Sequence, residues 1–107
     1  MYAFNYHKPA SLADAASLAG KHADGKVMAG GMTLLPTMKQ RLASPSDIID
    51  MGKLDELRGI KVDGGNVTIG AMTRHVAVAT SAEVKKAIPA LAALAGGIGD
   101  PAVRNRG

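Results

Sequence analysis

The chain has 107 residues, of which 47% are apolar, and its formal net charge is +4. This length can fill one small domain with a modest core, and with one Phe, two Tyr and no Trp the packing must rest on aliphatic residues and methionine. The absence of cysteine excludes disulfides, iron–sulfur ligation by this chain and thiol catalysis.

Helical and strand patterns alternate from the start of the chain. Ser11 with Asp14 resembles a capping arrangement and predicts a helix over residues 11–20. The apolar residues expected on its buried face are Leu12, Ala15, Ala16 and Ala19. A buried strand is predicted next, at residues 26–29.

A second helix and two further strand regions are predicted in the middle of the chain. Thr33 can cap the helix, Pro36 suits its first turn, and its buried side is marked by Leu35, Met38 and Leu42. Residues 47–51 predict a buried strand. A short helix containing Leu54 and Leu57 should end at Gly59, before a β-hairpin whose strands hold Ile60, Val62, Val67 and Ile69.

The last third of the chain is predicted to be helical. Thr73 can cap one short helix, and Thr80 with Glu83 can form a capping box at the start of the next. Pro89 opens a final helix, which Gly96 and Gly97 loosen. Its inward face is predicted to hold Leu91, Leu94 and Ile98. No internal repeat and no linker is visible.

The most informative stretch is residues 26–38, which read KVMAGGMTLLPTM. A strand, a pair of glycines and a helix start can together present several backbone amides to one anion, and Gly30 and Gly31 allow a ligand to approach the main chain. This pattern is typical of a phosphate site. On spacing alone, an ordinary strand-to-helix connection that binds nothing is an equal alternative.

Other kinds of site find little support in the residues. His7, His22 and His75 are far apart and lack a second metal ligand at helical or loop spacing, so each is expected at the surface or partly buried. Asp47 and Asp50 bracket a strand and are expected on a solvated face. No catalytic residue and no metal site is predicted, and a reaction served by this chain would need a bound cofactor.

The distribution of charge and apolar residues bears on partners and location. The thirteen basic residues are dispersed and lack stacking aromatics, so no nucleic-acid partner is predicted. No apolar run approaches the roughly 20 residues of a membrane span, and no signal core is visible at the amino terminus. The expected compartment is the cytoplasm.

Five segments, in this order and spacing, resemble the FAD-binding medium subunits of molybdenum hydroxylases, most strongly those of aerobic carbon monoxide dehydrogenases. The segments are MYAFNYHKPASLADA, AGGMTLLPTMKQRL, DIIDMGKLDELRGI, TIGAMTRH and GIGDPAVRNRG. The resemblance spans all 107 residues. It implies an α+β fold, namely the first subdomain of a p-cresol methylhydroxylase-type FAD-binding domain.

The resemblance also implies which residues contact FAD. In that family the loop matching residues 29–33 wraps the pyrophosphate through main-chain amides, its flanks lie along the cofactor, and a later segment approaches the isoalloxazine end. The implied FAD-binding residues are Lys26, Val27, Met28, Ala29, Gly30, Gly31, Met32, Thr33, Leu34, Ile98 and Gly99.

Family members usually continue after the NRG of residues 105–107 into a second glycine-rich pyrophosphate loop, which this sequence does not include. Residues 1–107 are therefore expected to form the first subdomain and the connecting helix, with the second subdomain absent. We expect the isolated residues to fold at best marginally and to bind FAD weakly or not at all.

The implied function is electron transfer within an oxidoreductase. A molybdenum-binding large subunit would oxidise the substrate, and [2Fe-2S] clusters in a small subunit would pass electrons to FAD and then to an external acceptor. The expected assembly is a dimer of heterotrimers, and the isolated chain is expected to be inactive. The alternative is a non-enzymatic module that binds a phosphate-bearing ligand or serves as a docking surface.

Overall fold

A computed structural model describes residues 1–107, which form two compact units, Met1–Asp55 and Glu56–Gly107. The first unit contains a three-stranded parallel sheet of order β1-β3-β2. Its strands are β1 (Asn5–His7), β2 (Lys26–Met28) and β3 (Asp47–Asp50). The central strand pairs with both neighbours, and the side chains of Ile48 and Ile49 are fully buried. This agrees with the predicted buried strand.

Strand β2 was predicted to be buried, and this is wrong. It is an edge strand that pairs only with β3, and the side chain of Val27 is 53% exposed. Strand β1 was not predicted, because its three residues, Asn5, Tyr6 and His7, contain no apolar run.

Helix α1 (Leu12–Lys21) begins as predicted, with the Ser11 hydroxyl accepting a 3.1 Å hydrogen bond from the Asp14 amide. Of the four residues predicted to be buried, only Ala15 is; Leu12, Ala16 and Ala19 are exposed. The half-buried Leu18 lies one turn beyond Ala15, so the helix turns a different face inward.

Helix α2 (Leu34–Lys39) holds Pro36 in its first turn and buries Met38, both as predicted. It stops before Leu42, whose side chain is 75% exposed and not buried as predicted. The short helix predicted around Leu54 is instead a pair of 3₁₀ turns, Met51–Lys53 and Asp55–Leu57.

The second unit contains the predicted hairpin, formed by β4 (Ile60–Asp63) and β5 (Asn66–Ile69). Four helices follow: α3 (His75–Thr80), α4 (Ala82–Ala87), α5 (Pro89–Gly96) and α6 (Pro101–Arg104). The core of this unit consists of Val78, Val84, Ala92 and Ala95, with Ile60, Ile69, Ala79 and Leu91 packed against it. No helix in the structure is long and apolar enough to span a membrane.

Three details of these helices differ from prediction. The hydroxyl of Thr73 caps no helix, because it is hydrogen-bonded to the backbone of Gly59. The cap of α4 is Ser81, whose hydroxyl accepts from the Val84 amide at 3.2 Å, and not Thr80. In α5, Ala92 and Ala95 face the core, which leaves Leu94 74% exposed.

Candidate functional site

The glycine loop, residues 29–33, connects β2 to α2. Its bend depends on Gly31, whose φ of +76° is a conformation that side chains other than glycine rarely adopt. A Cβ at this position would also lie 3.1 Å from Leu35 Cδ1 and 3.2 Å from Met28 Sδ. The backbone conformation therefore favours glycine here, and a Cβ would also need the Leu35 and Met28 side chains to shift by a few tenths of an ångström.

The backbone amides of this loop are uncommitted. Residues 30–33 donate no backbone hydrogen bond within the chain. Two of the loop carbonyls are engaged: that of Gly31 accepts from the Leu35 amide at 3.0 Å, and that of Thr33 accepts from the Thr37 amide at 3.2 Å. A run of free donors with engaged acceptors suits an anion such as a phosphate.

Thr33 does not cap α2, contrary to the prediction from sequence. Its backbone is already helical, with φ of −105° and ψ of −45°, and its side chain makes no capping hydrogen bond. A capping threonine normally has an extended backbone, which turns its hydroxyl back toward the helix amides. Because Thr33 is exposed and makes no such bond, its hydroxyl is available to a ligand.

All nine predicted site residues of the first unit are contiguous, from the start of β2 to the first residue of α2. Lys26, Val27, Ala29, Met32 and Thr33 are exposed, and Met28, Gly30, Gly31 and Leu34 are half-buried. The loop and its flanks are therefore accessible to a ligand along most of their length.

The other two predicted site residues, Ile98 and Gly99, follow α5 in the second unit. Ile98 is half-buried, and its carbonyl accepts a hydrogen bond from the Arg104 guanidinium. Gly99 is exposed and has open space around it. Next comes α6, whose N-cap is Asp100: its Oδ1 accepts from the Ala102 amide at 2.8 Å.

A largely apolar cavity of about 720 Å³ lies in the second unit. The residues that line it include Ile69, Val78, Leu91, Leu94 and Ile98. Its volume falls within the range of about 300–1,000 Å³ that is usual for small-molecule sites. Of the two predicted residues, Ile98 contributes to this wall.

One polar cluster was not predicted from the sequence. It consists of His7, His22 and Asp47, and we call it the His–Asp cluster. His7 Nε2 lies 2.8 Å from Asp47 Oδ1, and His22 Nδ1 lies 3.2 Å from Asp47 Oδ2. The two imidazole rings stack, with centroids 5.3 Å apart. Both histidines are partly buried, as predicted. Although they are far apart in the sequence, they lie close together in the structure. The three residues come from different elements, so no local spacing could reveal the cluster.

The carboxylate of Asp47 is buried, with a side-chain exposure of 4%, which corrects the prediction of a solvated face. The hydrogen bond with His7 and that from Ser46 hold the pKa of Asp47 below its ordinary value of 3.8, against the opposing effect of burial.

Asp50, at the other end of β3, accepts hydrogen bonds from the Tyr6 hydroxyl and from the Gly52 amide. The bond to Asp50 raises the pKa of Tyr6.

Comparison of the chain with known protein families gives a match. The family described as "FAD binding domain in molybdopterin dehydrogenase" matches residues 2–107. The chain belongs to this family. The predicted cofactor, FAD, and the predicted mixed α and β fold are therefore confirmed.

Several curated relatives match nearly the whole chain. It is 47% identical over 105 residues to the carbon monoxide dehydrogenase medium chain of Hydrogenophaga pseudoflava, covering 97% of this chain and 37% of the relative. It is 41% identical over 105 residues to the nicotine 6-hydroxylase medium subunit of Paenarthrobacter nicotinovorans, covering 98% and 37%. The chain thus spans little more than a third of the length of these relatives.

Solved structures give the same result. A carbon monoxide dehydrogenase from Hydrogenophaga pseudoflava matches with a TM-score of 0.94 and 46% identity, covering 99% of this chain and 37% of the other. Quinoline 2-oxidoreductase from Pseudomonas putida 86 matches with a TM-score of 0.93 and 36% identity, again covering 99% and 37%. The backbone is therefore similar in relatives that act on different substrates.

Proposed function

We propose that the glycine loop holds the pyrophosphate of FAD, and that the chain is part of the flavin subunit of a molybdenum hydroxylase or aerobic carbon monoxide dehydrogenase. The observation that carries this proposal is the run of backbone amides at residues 30–33 that make no hydrogen bond within the chain. This run includes Gly31, whose φ is positive. The pyrophosphate is anionic and needs donors without a competing partner. A loop without a Cβ at position 31 lets it approach the backbone.

The flanking residues extend this proposed site. The exposed Lys26 and Val27 of β2 and the half-buried Leu34 would lie along the cofactor, and the Ile98–Gly99 segment would approach its isoalloxazine end. The apolar wall that contains Ile98 suits a planar ring system. Residues 1–107 would then form the first subdomain and connecting helix of the FAD domain, and a second subdomain would complete the cleft.

Bound FAD supplies the redox chemistry, accepting and releasing electrons one or two at a time. The chain's own residues bind and orient the cofactor. We propose that electrons arrive from [2Fe-2S] clusters in a small subunit, after substrate oxidation in a molybdenum-binding large subunit, and leave to an external acceptor. The assembly would be a dimer of heterotrimers in the cytoplasm. Exposed leucines such as Leu42 support the proposal, because subunit contacts would cover them.

The test is purification of the full-length protein from its host, followed by flavin, molybdenum and iron analysis. We expect one FAD per chain and co-purification with a larger subunit carrying molybdenum and a smaller one carrying iron. A colourless protein, recovered without flavin or these partners, would contradict the proposal and favour the non-enzymatic module.

A further inference from the structure

The His–Asp cluster has no part in the proposed flavin site. It joins β1 through His7, the end of α1 through His22, and β3 through Asp47. We propose that this cluster binds one divalent transition-metal ion, of the class typified by Zn²⁺, and that the ion links these three elements of the first unit.

The distances between the candidate ligand atoms suit such an ion. One nitrogen from each imidazole and one carboxylate oxygen all lie within 4.8 Å of one another. Ligand atoms at about 2.0–2.2 Å from Zn²⁺ in tetrahedral geometry stand roughly 3.3–3.6 Å apart. Each nitrogen already lies within 3.2 Å of its nearer carboxylate oxygen. Small rotations of the side chains would therefore bring all three onto one ion.

The chemistry of the donor set points to the same class of metal. Two imidazole nitrogens and one carboxylate form a three-ligand set that binds Zn²⁺ and leaves a further position for water. The ionised Asp47 only accepts hydrogen bonds, so each imidazole presents an N–H to it in the metal-free state. When the ion binds, the proton of each ring moves through solvent to the other ring nitrogen, and the freed lone pair becomes a ligand.

The surroundings of the cluster give it support and access. The Ser46 hydroxyl donates a 2.7 Å hydrogen bond to Asp47 Oδ2 and fixes the carboxylate. The side chains of His7 and His22 are 28% and 33% exposed, so an ion can reach them from solvent. His7 also borders a polar cavity of about 360 Å³, whose lining includes Asp14 and Ser17. This cavity offers a path of entry.

The test uses the full-length, FAD-loaded chain after treatment with a chelator. Co²⁺ is titrated while its ligand-field absorption is followed, Zn²⁺ is then added as competitor, and thermal unfolding is measured with and without Zn²⁺. We expect one equivalent of Co²⁺, displaced by Zn²⁺, and a higher Tm with Zn²⁺. His22→Gln should weaken binding by at least about tenfold and abolish the rise in Tm.

Two choices keep the test decisive. His22 is replaced because its ring is partly exposed, whereas Asp47 is buried and its replacement would change stability as well as metal binding. His75→Gln is the matched control: it removes the third histidine, which belongs to the second unit, and should leave Co²⁺ affinity unchanged. Failure of the wild type to bind Co²⁺, or equal loss of affinity in both variants, would overturn the proposal. Either result would leave the flavin proposal untouched, since FAD content is measured separately.

Discussion

Leu35 contacts Gly31 in two ways: its amide donates a 3.0 Å hydrogen bond to the Gly31 carbonyl, and its side chain occupies the space beside the missing Cβ. The first contact starts α2, and the second means that a larger residue at position 31 would have to displace the Leu35 side chain. The bend of the glycine loop is therefore set by packing inside the first unit as well as by any ligand.

Gly31→Val should weaken FAD retention in the full-length protein. A β-branched side chain at a φ of +76° is strained, at a cost of about 1–2 kcal/mol, and would press on Leu35 and Met28. The measurement is the ratio of flavin to protein absorbance after gel filtration. Retention of one FAD per chain by this variant would show that the assignment of the loop is wrong.

Gly30→Ala separates contact with the phosphate from backbone strain, because Gly30 has no positive φ. If the pyrophosphate approaches here, the added Cβ should push it away from the backbone amides. Loss of one amide-to-phosphate hydrogen bond should cost about 1.5–3 kcal/mol, or roughly 10–150-fold in Kd. Gly65→Ala, in the open hairpin turn, is the control and should bind FAD normally. Equal FAD affinity in the two variants would argue against a close approach at residue 30.

Gly70→Ala should destabilise the second unit. Its Cβ would overlap the Leu57 carbonyl group, at 2.6 Å from the carbonyl carbon, and that carbonyl also accepts a hydrogen bond from Met72. Backbone must move to relieve the overlap, so we expect a loss of about 1–3 kcal/mol in the free energy of unfolding, measured by denaturant titration. Gly20→Ala, inside α1 with open space around it, should instead add about 0.5–1 kcal/mol. An unaltered midpoint for Gly70→Ala would contradict this packing.

Asp47 should make stability depend on pH in the acid range. Its pKa is lowered in the folded protein, chiefly by the hydrogen bond with His7, so its ionised form favours folding above about pH 4. This contribution is lost as the pH falls from 3.8 through the lower folded value. The difference in unfolding free energy between wild type and Asp47→Asn should therefore shrink from pH 7 to pH 3. The exposed Asp63→Asn is the control, and a difference that stays constant with pH would count against this account.

Ser81→Ala should cost about 1 kcal/mol of stability, because it removes the cap of α4. Thr80→Ala should cost less, since the Thr80 hydroxyl only bonds back to the Val76 carbonyl within α3. Thermal unfolding of the two variants measures the difference. A larger loss of stability in Thr80→Ala would indicate that Thr80, as predicted from the sequence, and not Ser81 caps α4.

The sequence by itself determined the features that depend on neighbouring residues and on family pattern. The cap at Ser11, the hairpin between Ile60 and Ile69, the proline at the start of α5 and the glycine bend all follow from local chemistry, and they are present in the structure. The order of five characteristic segments identified the family and with it the cofactor.

Only the tertiary structure decided which faces are buried and which distant residues meet. Periodicity marks an apolar face but cannot place it against a particular neighbour, so Leu94 is exposed while two alanines of α5 face the core. The edge position of β2 depends on strand order, which local sequence does not encode. His7, His22 and Asp47 meet because parallel pairing brings β1 beside β3 and the end of α1 lies against them. Such contacts arise from packing between elements, so they cannot be predicted from the spacing of residues along the chain.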